Sequence, residues 1–132
     1  MDQTLKLVDK PIKAGFPNAA DEAVYNKLNL HKLLVKRPSS TYFMRLDGSL
    51  GGRSYIHTET ILVVDRAAEI QSGDVVVIIN RGEMMLKTYK RVGQKHLLVA
   101  ITENTGGPIG LSDEEETQVW GVVVHIIESV KK

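Results

Sequence analysis

The chain contains no cysteine, which excludes a disulfide framework, a thiolate metal site and a thiol nucleophile. Aromatic residues make up only 5%, and no basic stripe is interleaved with them, so the pattern of a nucleic-acid-binding face is missing. Nor is there an excess of one charge: 17 basic against 16 acidic residues leave +1, too little for a bulk field toward nucleic acid or anionic membrane. Apolar runs are strand-sized rather than membrane-spanning, and the first six residues, Met1 to Lys6, carry nothing resembling a signal sequence. These absences lead us to expect a cytoplasmic protein with no membrane segment and no direct nucleic-acid binding.

Metal and phosphate chemistry lack their usual residues as well. His31, His57, His96 and His125 are scattered without ligand spacing, and no glycine loop suited to cradling phosphate occurs, so we assign no metal and no cofactor. His125, in an apolar run, reads as a structural histidine. The carboxylate run Asp113-Glu114-Glu115-Glu116 reads as a solvated loop. Trp120 suits either an interface anchor or core packing.

What is present is a β-rich pattern behind a sparse start. The first 17 or so residues carry Pro11, Gly15 and Pro17 with little periodicity, and read as an extended arm rather than packed structure. Asn18 is placed to cap a short helix that runs through Ala19-Ala20-Asp21-Glu22 and ends by Leu34 or the Arg37-Pro38 step, burying Leu28, Leu33 and Leu34. Short β-branched runs follow at Tyr42 to Leu46, Thr60 to Asp65, Asp74 to Asn80, Glu83 to Val92, His96 to Thr102 and Gln118 to Ile127. Between two of them, Asn80-Arg81-Gly82 predicts a tight hairpin turn with Gly82 at positive φ. We therefore expect an arm over residues 1–17 and one mostly-β domain over residues 18–132.

Three early segments carry a resemblance: Gly15-Phe16-Pro17-Asn18-Ala19-Ala20-Asp21, Leu28-Asn29-Leu30-His31-Lys32-Leu33-Leu34 and Arg37-Pro38-Ser39-Ser40-Thr41-Tyr42-Phe43. Four later ones continue it in order: Ile61 to Arg66, Ser72 to Val77, Gly82 to Lys87 and Val119 to His125. Together they resemble the UmuD-like members of the LexA-like (S24) self-cleaving Ser/Lys peptidases over nearly the whole chain. The resemblance implies a β-clip-like peptidase domain in which a serine, activated by a neutral lysine, cuts the chain's own arm at a small-residue bond. Ala14-Gly15 stands where that bond falls, and small residues there let the scissile backbone approach the nucleophile closely.

By the same resemblance Lys87 is the general base. A lysine at its reference value of about 10.4 is protonated at neutral pH, so the mechanism asks for burial to favour the neutral form. Strand alternation puts Met85 and Tyr89 on the face of Lys87, and Met84 and Leu86 on the other.

The nucleophile loop departs from the family. Where the family reads Gly-Asp-Ser-Met, this chain reads Leu46-Asp47-Gly48-Ser49-Leu50-Gly51-Gly52, and an ungapped alignment puts Leu50 in the serine's place. Leucine cannot attack a carbonyl, and loss of a protease serine costs on the order of a million-fold in rate. The family's Asp-Gly-Asp turn is also replaced, by His57-Thr58-Glu59-Thr60. We read the chain as a UmuD-like accessory protein of the SOS response and translesion synthesis with lost or impaired self-cleavage. The alternative is an active peptidase in which a shifted Ser49 serves as nucleophile with Lys87. The resemblance further implies a homodimer, a translesion DNA polymerase subunit as partner, and a recombinase filament on single-stranded DNA as activator of cleavage.

Overall fold

Residues such as Thr60-Ile61-Leu62-Val63-Val64-Asp65 and Val75-Val76-Val77-Ile78-Ile79 are too uniformly apolar for a strand with one wet face, and both runs form strands covered on both sides. The computed structural model describes residues 4–8, 25–46, 60–101, 109–110 and 117–129. Its strands are β1 (Thr4–Val8), β2 (Tyr25–Asn29), β3 (Thr41–Leu46), β4 (Thr60–Asp65), β5 (Val75–Asn80), β6 (Glu83–Val92), β7 (Lys95–Val99), β8 (Ile109–Gly110) and β9 (Thr117–Ile127). One short helix, α1 (Leu30–Leu34), and a 3₁₀ turn at Pro38–Ser40 complete the described elements. The mostly-β expectation holds.

The chain divides into two compact units, Met1–Lys36 and Arg37–Lys132. In the first, β1 and β2 form an antiparallel two-stranded ladder. In the second, seven strands lie in the order β3-β4-β9-β5-β6-β7-β8 with every neighbouring pair antiparallel. The last strand, β9, is inserted between β4 and β5, so the end of the chain occupies the middle of the sheet.

Alternation along β5 divides the core in two. Val76 and Ile78 join Tyr89, Leu98 and Val122 on one face, while Val77 joins Leu62 and Val64 on the other. Gly121 permits the close packing of β9 on β4, because a β-carbon there would fall 2.6 Å from Val64 Cγ1. Each fully buried aliphatic side chain stabilises the fold by about 1.5–3 kcal/mol.

The hairpin turn is as expected. Arg81 and Gly82 have φ of 52° and 80°, and Asn80 pairs with Glu83 across them. Two positive values in succession match the right-handed twist of the strands they join.

The start of the chain departs from the sequence reading. Thr4–Val8 is extended, but it is paired with Tyr25–Asn29 rather than unpacked. Those partner residues form a strand where a helix was expected, and among the described residues the helix spans Leu30–Leu34. The reason lies at Asn29, whose Oδ1 accepts a hydrogen bond from the Lys32 backbone N–H at 3.1 Å and so caps the helix there. Asn18, the expected cap, lies outside the described residues. The expected buried face is absent too: Leu33 is 50% exposed, and Leu28 and Leu34 are only partly buried. The strand expected over His96 to Thr102 spans Lys95–Val99, and β8 was not foreseen, since two residues carry no periodicity.

Candidate functional site

The β5–β6 hairpin fixes where Lys87 points. Its two-residue turn sets a register in which Val75 faces Thr88, Val76 faces Lys87 and Val77 faces Leu86. Val76 also faces Val122 of β9, so Lys87, Val76 and Val122 form one row across three strands. Directly paired residues share a face. Lys87 therefore lies on the face of the Val76–Ile78–Tyr89–Leu98–Val122 cluster, against which Met85 also packs. Leu86 packs against the opposite cluster, as alternation required. Lys87 is 6% exposed, an uncommon state for a lysine.

Further bonds hold this part of β6 to the segment before β5. The Tyr89 N–H donates to Asp74 O at 2.8 Å, and the Gly73 N–H donates to Tyr89 O at 2.7 Å, carrying the ladder past the end of β5. The Asp74 carboxylate accepts from the Gln71 N–H at 2.8 Å, and Ser72 Oγ accepts from the Arg91 N–H at 3.0 Å. Tyr89 and His96 are joined by a short hydrogen bond between the phenol oxygen and Nδ1. Sequence reading placed Tyr89 beside Lys87 but did not foresee His96 as its partner. The signal was available: Arg91 pairs with His96 across a two-residue turn, which brings Tyr89 and His96 diagonally together.

Of the sequence-predicted site residues, Lys87 lies within the described part of the chain. Ser49, Leu50, Ala14 and Gly15 lie outside it, as do His57 and the Asp113 to Glu116 run. Of the remaining histidines, His31 is exposed on α1, His96 bonds Tyr89, and His125 is half-buried opposite Val63. Among the described residues no three His, Asp or Glu side chains are arranged to hold a metal ion. No helix among them is long and apolar enough to cross a membrane.

A second polar centre escaped the sequence reading. Asp65, at the end of β4, is 4% exposed. Its carboxylate accepts from Ser40 Oγ at 2.7 Å, Arg37 Nη1 at 2.7 Å and the Ala67 N–H at 2.8 Å. Burial alone would raise its pKa, but the bonds from Ser40, Ala67 and Arg37, with the guanidinium charge, outweigh it and hold the carboxyl below the usual carboxylate range. The centre ties the turn before β3 to the end of β4, and the Arg66 N–H adds a bond to Ser40 O at 2.8 Å.

Trp120 is engaged within the second unit. It packs beside the Leu62–Val64–Val77 cluster, with Tyr42 at 5.2 Å between ring centroids and the Arg66 guanidinium 4.5 Å over its ring. Arg66 Nε also donates to Trp120 O at 3.0 Å.

Residues 6–124 match the Peptidase S24-like family, a span that includes Lys87, both packed faces and most of β9. The chain belongs to the Peptidase S24-like family. The likeness to its UmuD-like members, drawn first from the quoted segments, accords with that match. Protein MucA of Escherichia coli is 36% identical over 116 residues, which cover 86% of this chain and 77% of that protein. Protein SamA of Salmonella typhimurium is 29% identical over 131 residues, covering 99% of this chain and 90% of its own length. The LexA repressor of Proteus mirabilis is 26% identical over 118 residues, covering 89% of this chain and 58% of the repressor.

Proposed function

We propose that this protein is a UmuD-like accessory factor of the SOS response and translesion synthesis, in which self-cleavage is lost or slowed because Leu50 holds the nucleophile position. The single observation that carries the reading is a contrast inside one family match: Lys87 is buried on an apolar face, as a dyad base requires, while the loop aligned with the nucleophile reads Gly48-Ser49-Leu50. In this reading the protein acts as a homodimer that serves a translesion DNA polymerase subunit. It has an arm over residues 1–17 and a peptidase-fold domain over residues 18–132.

The burial of Lys87 favours a second reading, in which the base still works and Ser49 is its nucleophile. Ser49 Oγ attacks the Ala14 carbonyl carbon while neutral Lys87 takes the hydroxyl proton. The C–N bond to Gly15 then breaks as that proton passes to the departing amine. Water hydrolyses the resulting ester, regenerates Ser49 and leaves Ala14 as a new carboxyl terminus. A recombinase filament on single-stranded DNA is the activator in this reading.

Intact mass spectrometry after incubation at pH 7 and at about pH 10 separates the two, because an unperturbed lysine loses its proton near 10.4. An uncut chain at both values, unchanged when the filament is added, supports the first reading. Loss of residues 1–14 from the wild type, but not from Ser49→Ala or Lys87→Ala, replaces it with the second.

A further inference from the structure

The predicted cleavage bond lies between two strands that are hydrogen-bonded to each other. β1 (Thr4–Val8) and β2 (Tyr25–Asn29) pair in a five-residue register, and Ala14-Gly15 falls in the connection between them. Among the described residues β1 has β2 as its one partner strand. The pairing is thin. Leu5 and Leu7 are 50% and 41% exposed, and Lys6 stands directly opposite Lys27, an arrangement of like charges that weakens a ladder.

The surroundings add to that charge. Residues 1–36 carry six lysines (Lys6, Lys10, Lys13, Lys27, Lys32 and Lys36) against four carboxylates (Asp2, Asp9, Asp21 and Glu22), a net charge of +2, and Lys6, Lys27 and Lys32 are exposed. The rest of the chain, residues 37–132, carries 11 basic and 12 acidic residues, a net charge of −1.

While the connection is intact, β1 is held near β2 at an effective concentration of roughly millimolar order. A cut between Ala14 and Gly15 turns the same ladder into a bimolecular contact of five residues, and two isolated strands are marginal in water. The strand then leaves, and the N–H and C=O groups it covered on β2 become an open edge. An incoming strand with a carboxylate opposite Lys27 and an apolar residue opposite Leu28 replaces the Lys–Lys pair with an attractive one. We infer that β1 is a removable strand whose loss on cleavage opens the edge of β2 to an extended acidic segment of a partner protein, which pairs there by strand addition. The inference rests on reading Ala14-Gly15 as the bond that is cut, whether by this chain or by another.

The test makes the cut independently. In the full chain, residues 12–17 are replaced by the recognition sequence of a site-specific protease, and the nicked protein is passed over a size-exclusion column. The expected result is loss of the N-terminal fragment. Labelled peptides of residues 1–10, native and with Lys6→Glu, are then titrated by fluorescence anisotropy. The nicked protein should bind the Lys6→Glu peptide about threefold more tightly than the native one. A Lys27→Glu substitution in the protein should reverse that preference, and the uncut protein should bind neither peptide.

Retention of the fragment through the column would make β1 a clamp rather than a removable strand and overturn the inference. So would equal affinity for the two peptides, no binding of either, or equal binding to uncut protein. Because the nick is made by an added protease, these outcomes are read separately from self-cleavage in the wild type.

Discussion

Two antiparallel pairs in this molecule have the same hydrogen-bonding pattern and opposite prospects. The β5–β6 hairpin closes through two residues with matched positive φ, and it is flanked in the sheet by β9 and β7. The β1–β2 ladder closes through residues 9–24 and has no third strand among the described residues. Closing a longer connection costs more chain entropy. Across the first pair, Val76 and Lys87 are both buried; across the second, Lys6 and Lys27 are both exposed. A ladder is permanent framework when its side chains are enclosed on both faces, and removable when its hydrogen bonds are most of what it has.

The largest effect that can break this contrast is a core truncation. Ile78 is completely buried in the middle strand, so Ile78→Ala is expected to cost about 2–5 kcal/mol in urea unfolding. Leu5→Ala, in the exposed ladder, should change the same midpoint by no more than about 0.5 kcal/mol. Equal losses would show that β1–β2 is as much a part of the cooperative core as β5. Gly121→Ala tests the core from the other side: with Val64 Cγ1 at 2.6 Å from the new methyl, crowding should cost about 1–3 kcal/mol. A thermal melt that does not move would show that Val64 can yield.

The contrast also explains what the sequence made legible. Thr60 to Asp65 and Glu83 to Val92 were readable to the residue, the first as a β-branched apolar run and the second because the Arg81-Gly82 turn fixes where it begins. The row that buries Lys87 was half readable: alternation put Met85 and Tyr89 on its face and the hairpin register puts Val76 opposite it, but Val122 came from a sheet order that brings the last strand into the centre. Asp65 was missed because its partners Ser40 and Arg37 lie 25 and 28 residues upstream, on the approach to a strand whose pairing sequence alone does not give. Over residues 25–29 the expected helix was misread because the propensity of Tyr25–Asn29 leaves helix and strand open, and long-range pairing with β1 decided for the strand, with Asn29 capping the helix that follows.

Asp65 supplies the next effect in size, and its sign is fixed by the direction of its shift. Its carboxyl is held below the ordinary value of 3.8 in the folded chain, so its stabilising contribution is complete above that value and is lost as pH falls through the folded one. Asp65→Asn keeps one acceptor oxygen but loses the charge that draws Arg37 and Ser40, and should cost about 1–2 kcal/mol at pH 7. The gap between wild type and variant should narrow below about pH 4 in denaturant titrations repeated across pH. A gap that stays constant into acid would mean that packing around Ser40, not the carboxylate charge, holds the turn before β3 to β4.

The smallest effect is the most discriminating for the thin ladder. Replacing one member of the Lys6–Lys27 pair by glutamate turns repulsion into attraction, worth about 0.2–1 kcal/mol for a cross-strand pair. In the uncut protein, Lys6→Glu should therefore slow hydrogen exchange of the β1 amides by about 1.4-fold to fivefold, while the amides of β5 and β6 exchange as before. Lys27→Glu should do the same, and the double variant, with two carboxylates facing each other, should return to the wild-type rate. That cycle isolates the pair from any change either glutamate makes alone. High salt should shrink all three differences, since both side chains are exposed and screening acts on them fully. Protection that rises equally in the double variant would place the cause in strand propensity rather than charge, and the ladder would lose its preference for an acidic strand.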